Sequence, residues 1–227
     1  MVALISILEV QFASVNLIQH FLTASVLSVP AAIMYANIMI PSNEITDSSE
    51  GSNTKVYKST MDAITTGTAQ GSNIAVSVGT ILIAVIALVY IANSFLSLLG
   101  GYIGIALSIE MILGYLFAPI TWLMGIPWDE AVIAGELLGL KTTLNEFVAY
   151  PRLGEMRMAG QLSQKSVIMS TYMLCGFANF ASIGIQIGGI GSLVPNRKGL
   201  LSKLGIKALI GGTIASLMTA AIVGMLY

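Results

Sequence analysis

The segment Asp129–Lys165 has the sequence DEAVIAGELLGLKTTLNEFVAYPRLGEMRMAGQLSQK, in which charged residues interrupt short apolar runs. Runs such as AVIAGELLGL are much shorter than the roughly 20 residues that a helix needs to cross a bilayer. This pattern predicts two short helices that meet at a tip, in the form of a re-entrant hairpin. Such irregular backbone is tolerated at membrane depth only where protein or a water-filled cavity covers it.

The composition of the whole chain indicates a membrane protein. Of its 227 residues, 56% are hydrophobic and 9% are charged, whereas soluble domains carry about 25% charged residues. The net charge of −1 provides no basic field for nucleic acid. The single cysteine cannot form a disulfide within the chain. The lone histidine, His20, has no neighbouring His or Cys that would complete a metal site, so we expect it in a loop or at an interface.

Three other stretches are apolar enough to predict membrane helices. The expected helices are Phe21 to Ile40, Ala69 to Leu99 (ended by the Gly100-Gly101 pair) and Ala208 to Leu226. The last of these contains small residues that permit close contact between helices, namely Gly211, Gly212, Ala215, Ser216 and Ala220. The stretch Ile105 to Leu123 is interrupted by Glu110 and Pro119, so it is either a span or an interfacial helix.

The stretch Ser166–Asn196 is free of charge but carries a polar cluster at its middle. Broken helices with polar centres are typical of transporters, and we interpret this stretch as one. The basic residues that follow it lie between the last two apolar helices, where we predict a cytoplasmic loop; they are Arg197, Lys198, Lys203 and Lys207.

Glu146 lies in the middle of the predicted hairpin, within TLNEFVAY. A charged side chain at the centre of a membrane costs about 2.5–3.5 kcal/mol on insertion scales, so such residues usually face a cavity and bind something. The alternative is an ion pair with Lys141 or Arg152.

Asn179 and Ser182 are three residues apart, so on a helix they would share one face and offer an amide and a hydroxyl. This pair suits a hydroxyl-rich polar ligand, and hydrogen bonding between helices is an alternative that the spacing leaves open. Phe177 precedes them and either stacks on a ligand ring or packs in the core or against lipid.

The sequence contains no GxSxG, no HExxH and no paired cysteines, so a catalytic constellation is absent. An intramembrane enzyme that used Glu146 as a base would lack any partner residue. We therefore expect that the chain is not an enzyme.

Two motifs resemble the concentrative nucleoside transporter family. They are KTTLNEFVAY (Lys141–Tyr150) and LCGFANFASIGIQIGG (Leu174–Gly189). LTASVLSVPAAI (Leu22–Ile33) and LGYLFAPITWLMGIP (Leu113–Pro127) resemble the family as well, so the match spans nearly the whole chain.

The resemblance implies an all-α integral membrane protein that forms the second half of an inverted-repeat transporter, with transmembrane helices, a re-entrant hairpin and a broken helix. Members of the family are multi-pass proteins of the cell membrane, and they form homotrimers in the lipid bilayer. They take up nucleosides by sodium or proton symport, and they need no cofactor besides the coupling ion.

The resemblance also implies roles for individual residues. Glu146 resembles the ribose-binding glutamate at the hairpin tip, and Asn179 and Ser182 match the other ribose-contacting positions. Phe177 matches an aromatic residue that lines the pocket, and Thr65, in DAITTG, matches a position that contacts the nucleoside from the scaffold side.

Together with the apolar pattern, the resemblance divides the chain into five parts. Residues 1–41 form the end of the first-repeat broken helix and the following transmembrane helix, and residues 42–62 form a polar loop. Residues 63–104 form a scaffold-type transmembrane helix, residues 105–128 form the interfacial helix, and residues 129–227 form the second repeat with its hairpin, broken helix and last transmembrane helix.

The first residues of the chain, up to about Asn16, resemble only the later part of the first repeat's broken helix. The family's first hairpin, which carries a Gly-Gln-Thr-Glu stretch for the nucleobase and most of the cation site, has no counterpart in this sequence. The resemblance implies nucleoside uptake by alternating access. Because the first hairpin has no counterpart here, we expect this chain to supply the ribose-binding half. The alternative is a truncated membrane subunit that does not transport.

Overall fold

The computed structural model describes residues 17–41 and 58–227. Within these ranges the chain is helical and contains no strand, which confirms the predicted all-α class. Residues 1–16, and the part of the predicted polar loop at 42–57, lie outside the described residues. The described helices are α1 (Leu17–Met39), α2 (Thr60–Ile103), α3 (Ile109–Met124), α4 (Trp128–Thr143), α5 (Glu146–Met158), α6 (Gln164–Leu174), α7 (Phe180–Leu193) and α8 (Lys198–Leu226).

Helix α2 is longer than predicted, and the glycine pair does not end it. The hydroxyl of Ser59 accepts a hydrogen bond from the Asp62 N–H at 3.1 Å and caps the start of the helix. The helix ends at Gly104, whose φ of 71° lies in the left-handed region and whose N–H bonds the carbonyl of Gly100. A Cβ on Gly100 would collide with the carbonyl oxygen of Ile105. That glycine thus makes room for the returning chain, and the predicted break at Gly100-Gly101 is wrong.

Three described segments are long and apolar enough to cross a bilayer: Ile18–Met39, Leu82–Tyr102 and Lys198–Leu226. Helices α3 and α4 form an apolar pair bent by 117°. Gly125 lies at the bend with a φ of 115°, a conformation that favours glycine. The interfacial position of α3 stays a prediction, because helix length and composition do not place it relative to a bilayer.

Helix α8 begins well before the predicted start at Ala208. Lys198, Lys203 and Lys207 therefore lie on the helix, and only a short 3₁₀ turn, Pro195–Arg197, separates α7 from α8. The predicted basic loop is wrong, because lysine is a good helix former and its long side chain keeps the ammonium in water while the stem covers apolar surface.

The core of the described part lies between helices α4 and α5, the pair predicted as a hairpin, and helix α6. Leu137, Tyr150, Leu153 and Met173 are each 0% exposed there. Apolar side chains buried to this extent each contribute roughly 1.5–3 kcal/mol to the folded state. This packing fixes the position of the α4–α5 connection relative to the end of α6.

Helix α8 packs against α1, α6 and α7 through its small residues. A Cβ on Gly211 would lie 3.1 Å from Sδ of Met39, and one on Gly212 would lie 3.3 Å from Cβ of Ala178. These distances confirm that small residues permit close contact here.

Candidate functional site

Two helix breaks lie side by side, and each ends at an asparagine that caps the next helix. Asn145 ends the connection from α4 to α5, and its Oδ1 accepts from the Val148 N–H at 3.1 Å. Asn179 ends the connection from α6 to α7, and its Oδ1 accepts from the Ser182 N–H at 2.7 Å. Both asparagines are buried. The side-chain caps satisfy N–H groups that the helix starts would otherwise leave without partners.

The two breaks are joined by a hydrogen bond between predicted site residues. Nδ2 of Asn179 donates to Oε2 of Glu146 at 3.3 Å. Glu146 is the first residue of α5, where the positive end of the helix dipole stabilises a carboxylate. The fold therefore brings together two residues that are 33 positions apart in the sequence.

The structure shows no direct salt bridge between Glu146 and either of the two expected partners, Lys141 and Arg152. Arg152 pairs instead with Glu136 at 3.2 Å and Glu155 at 3.0 Å. Lys141 points its ammonium at the carbonyl of Met173, 2.9 Å away. Among the described residues, no salt bridge involves Glu146.

Ser182 is buried and forms a reciprocal capping box with Asn179. Its hydroxyl accepts from the Asn179 N–H at 3.2 Å and donates to the Asn179 carbonyl at 2.6 Å. The predicted shared helix face is wrong, because Asn179 is the N-cap and precedes the helix. The capping box orients the Asn179 side chain, whose amide nitrogen remains directed at Glu146.

A cavity of about 280 Å³ opens beside this pair. Glu146 lines it together with Phe177, whose side chain is 50% exposed. Its other lining residues are Ser25, Ser28, Phe147, Tyr150, Leu174, Cys175 and Gly176. Phe177 is thus available to a ligand ring and is not packed in the core.

Ser25 and Ser28 are two cavity residues that sequence reasoning missed. Both lie on α1, and their hydroxyls donate to carbonyls of their own helix, those of Phe21 at 2.8 Å and Ser25 at 3.0 Å. Each hydroxyl oxygen keeps lone pairs that can still accept a hydrogen bond. Their spacing in a charge-free helix is a signal in the sequence, but nothing in the sequence indicates that α1 lies beside the start of α5.

Two other residues singled out from the sequence lie outside this cavity. Thr65 is exposed on α2, and its hydroxyl donates to the carbonyls of Met61 at 2.9 Å and Asp62 at 3.2 Å. His20 lies within α1, where Nδ1 is 3.1 Å from the Tyr172 hydroxyl. The interface expected for His20 is therefore observed, and the loop is not. In the part of the chain that the structure describes, no group of three His, Cys, Asp or Glu residues could hold a metal ion.

A family model described as "Na+ dependent nucleoside transporter C-terminus" matches residues 20–224. The chain belongs to this family. It is a multi-pass membrane protein of a family of transporters, not enzymes, as the sequence predicted.

One relative of this chain within the family is the nucleoside permease NupC of Helicobacter pylori. The two are 38% identical over 220 residues, which cover 94% of this chain and 52% of the permease. Sodium/nucleoside cotransporter 1 of Sus scrofa is 35% identical over 224 residues, which cover 91% of this chain and 35% of the cotransporter. The chain thus spans about half, or less, of the length of these relatives.

Solved structures of the same family share the fold. The transporter CNTnw in an inward-facing substrate-bound state has a TM-score of 0.72 at 37% identity, and the match covers 86% of this chain and 47% of that one. A variant of CNTnw in a state called intermediate 3 has a TM-score of 0.79 at 37% identity, covering 89% of this chain and 50% of the other.

Proposed function

We propose that the protein to which these residues belong carries nucleosides across the membrane by symport with sodium or protons. Glu146 and Asn179 bind the ribose hydroxyls in this proposal. The observation that carries it is the hydrogen-bonded Glu146–Asn179 pair beside a cavity with an exposed aromatic ring. The names of the relatives, a nucleoside permease and a sodium/nucleoside cotransporter, support the same substrate class.

The donor and acceptor chemistry of the pair suits a ribose. Glu146 offers only acceptors when ionised, and the amide of Asn179 offers both a donor and an acceptor. Neighbouring hydroxyls of a sugar can donate to the carboxylate and accept from the amide at once. Hydrogen bonds to a charged group are roughly twice as strong as neutral ones. Without a ligand the two side chains satisfy each other, so the site does not leave a polar group unpaired.

The remaining predicted site residues have supporting roles in this proposal. Phe177 stacks on the base or closes over the sugar, because half of its side chain is exposed at the cavity. Ser182 contacts the ribose or orients Asn179 through the capping box. Thr65 contacts the nucleoside from the scaffold side, and the exposed position of its side chain on α2 is compatible with that role.

The proposed mechanism is alternating access. The hairpin α4–α5 re-enters the membrane and acts as one gate of a transport domain that moves against a scaffold. The functional assembly in this proposal is a homotrimer. The coupling ion is a transported species, and we assign it no ligands among the described residues.

The competing proposal is a membrane subunit that does not transport. A purely structural subunit has no need of a carboxylate that lines a cavity and is hydrogen-bonded to a buried amide, so this arrangement favours transport. The two proposals differ in whether solute binds at all.

Transport in proteoliposomes tests the proposal. The natural gene product that contains these 227 residues is reconstituted, and radiolabelled uridine uptake is measured under a sodium gradient, a proton gradient and no gradient. We expect accumulation under one of the gradients, competition by nucleosides, and much weaker competition by 2′-deoxy and 3′-deoxy analogues or free uracil. Absence of both uptake and uridine binding would overturn the proposal in favour of the subunit without transport.

A further inference from the structure

Lys141 is a buried cation that the proposed nucleoside contacts do not use. It lies in the last turn of α4, and its side chain is 0% exposed. An ammonium group removed from water is costly unless it is paired and hydrogen-bonded. The position of Lys141 therefore requires a compensating partner.

That partner is the end of the first half of the broken helix. Nζ of Lys141 donates to the carbonyl of Met173 at 2.9 Å. Met173 lies in the last turn of α6, which ends at Leu174. Carbonyls in a last turn lack donors within the helix, and the helix dipole makes that end negative. In broken transporter helices these ends commonly bind a cation, and here the cation is a side chain of the hairpin.

The ammonium also lies against the extended segment that follows α6. A Cβ on Gly176 would lie 3.6 Å from Nζ of Lys141 and would collide with the hydroxyl of Ser216 on α8. Any side chain at position 176 would therefore force Ser216 to shift. The break toward Asn179 therefore passes close to the Lys141 ammonium and to the Ser216 hydroxyl.

Lys141 and the Glu146–Asn179 pair form two successive connections between the same two parts of the protein. The first connection joins α4 to the end of α6, through Lys141 and Met173. The second joins the start of α5 to the start of α7, through Glu146 and Asn179.

We propose that Lys141 is a positioning residue for nucleoside binding. Its ammonium acts as a built-in cation at the end of α6, and it holds the helix break against the hairpin so that Asn179 meets Glu146. The inference rests on the proposed function, because it concerns the alignment of the same site. It adds a fixed positive charge, supplied by the chain itself, at the place where a broken helix would otherwise attract an ion.

Uridine binding to the purified natural gene product tests this role. Lys141→Met removes the charge and the donor, and Lys141→Gln removes the charge but keeps a donor. We expect both variants to fold and to weaken binding, the Met variant by at least about tenfold, as for loss of a charged hydrogen bond. The matched control is Lys165→Met, because Lys165 is exposed on α6 and makes no such contact in the described structure; it should bind as the wild type does.

A double-mutant cycle separates positioning from a merely structural role. If Lys141 acts by aligning Asn179, then Lys141→Met should weaken binding much less in an Asn179→Ala background than in the wild type. If the two losses multiply in full, the inference is overturned. The cycle uses Lys141→Gln when the Met variant does not fold, and failure of both variants to fold assigns Lys141 to the fold alone and overturns the inference.

The remaining outcomes distinguish the inference from the proposed function. If the wild-type protein binds uridine and both Lys141 variants bind it equally well, the inference alone is overturned. If the wild-type protein binds no nucleoside, the proposed function fails and the inference fails with it.

Discussion

The two helix breaks beside the cavity both end at an asparagine that caps the next helix, but they differ in length. The break between α4 and α5 consists of Leu144 and Asn145, and the Leu144 N–H still bonds the Leu140 carbonyl at 2.8 Å. The break between α6 and α7 extends from Cys175 to Asn179. The Cys175 N–H likewise still bonds the Thr171 carbonyl, at 3.2 Å, but the four residues that follow lie outside any helix. Both breaks therefore contain local backbone hydrogen bonds, but the longer second break also passes close to the side chains of Lys141 and Ser216. A short break thus presents the carboxylate, and a longer break, which other helices contact, presents its amide partner.

The largest effect should come from removing the negative charge of Glu146, which follows the break between α4 and α5. We expect Glu146→Gln to weaken nucleoside binding by about 10- to 100-fold, because a hydrogen bond to a charged group contributes roughly 1.5–3 kcal/mol. The measurement is uridine affinity and uptake, with the thermal unfolding temperature as a check on folding. Glu155→Gln is the control, since Glu155 lies on the same helix with its side chain 60% exposed and paired with Arg152. Unchanged affinity in Glu146→Gln would remove Glu146 from the site.

The next effect tests whether the second break depends on its neighbours. Gly176→Ala should destabilise the protein by about 1–3 kcal/mol, the usual effect of overpacking, because the new Cβ collides with the Ser216 hydroxyl. Ser216→Ala removes that hydroxyl, so the double variant should recover most of the lost stability and uridine affinity. Thermal unfolding and binding measure both.

The control for this experiment is Gly188→Ala in α7, where a Cβ meets nothing within 4 Å. This variant should be as stable as the wild type or more so, since alanine favours a helix over glycine. If Gly176→Ala behaves like Gly188→Ala, the second break is not set by the contact with α8.

A smaller pair of effects distinguishes the two caps. Asn145→Ala and Asn179→Ala should each lower the free energy of unfolding by about 1 kcal/mol, the usual contribution of an N-cap. Only Asn179→Ala should also weaken uridine binding by about tenfold, because it alone removes the partner of Glu146. Unfolding and binding are measured on both variants. An equal loss of affinity in the two would mean that the caps act on the site only through the fold.

The smallest effect concerns Thr65, which we expect to contact the nucleoside from α2, outside both breaks. Thr65→Val should weaken uridine binding by about two- to fivefold, because one neutral hydrogen bond contributes roughly 0.5–1.5 kcal/mol. Thr80→Val is the matched control on the same helix, since its hydroxyl also bonds a backbone carbonyl one turn earlier, at 2.9 Å. Equal affinity in the two variants would exclude Thr65 from the site.

The errors of sequence reasoning have a common physical origin. The residue type of Gly100 predicts a helix break, but glycine is compatible with helical dihedrals, and the role of Gly100 appears only when the chain folds back at Ile105. The spacing of Asn179 and Ser182 predicts one shared helix face, but asparagine is also strongly favoured at an N-cap, and Asn179 is the N-cap here. In both cases the local sequence allows two conformations and the surroundings select one.

The sequence by itself determined the membrane class, the all-α fold, the family and the short helices on either side of Glu146. These follow from composition, from the length of apolar runs and from two motifs, which are local properties of the chain. Only the tertiary structure decided that Asn179 meets Glu146, that Ser25 and Ser28 line the same cavity, and that Lys141 holds the end of α6. Each of these contacts joins residues from separate helices, and their approach depends on the packing of several apolar faces at once, which no single stretch of sequence encodes.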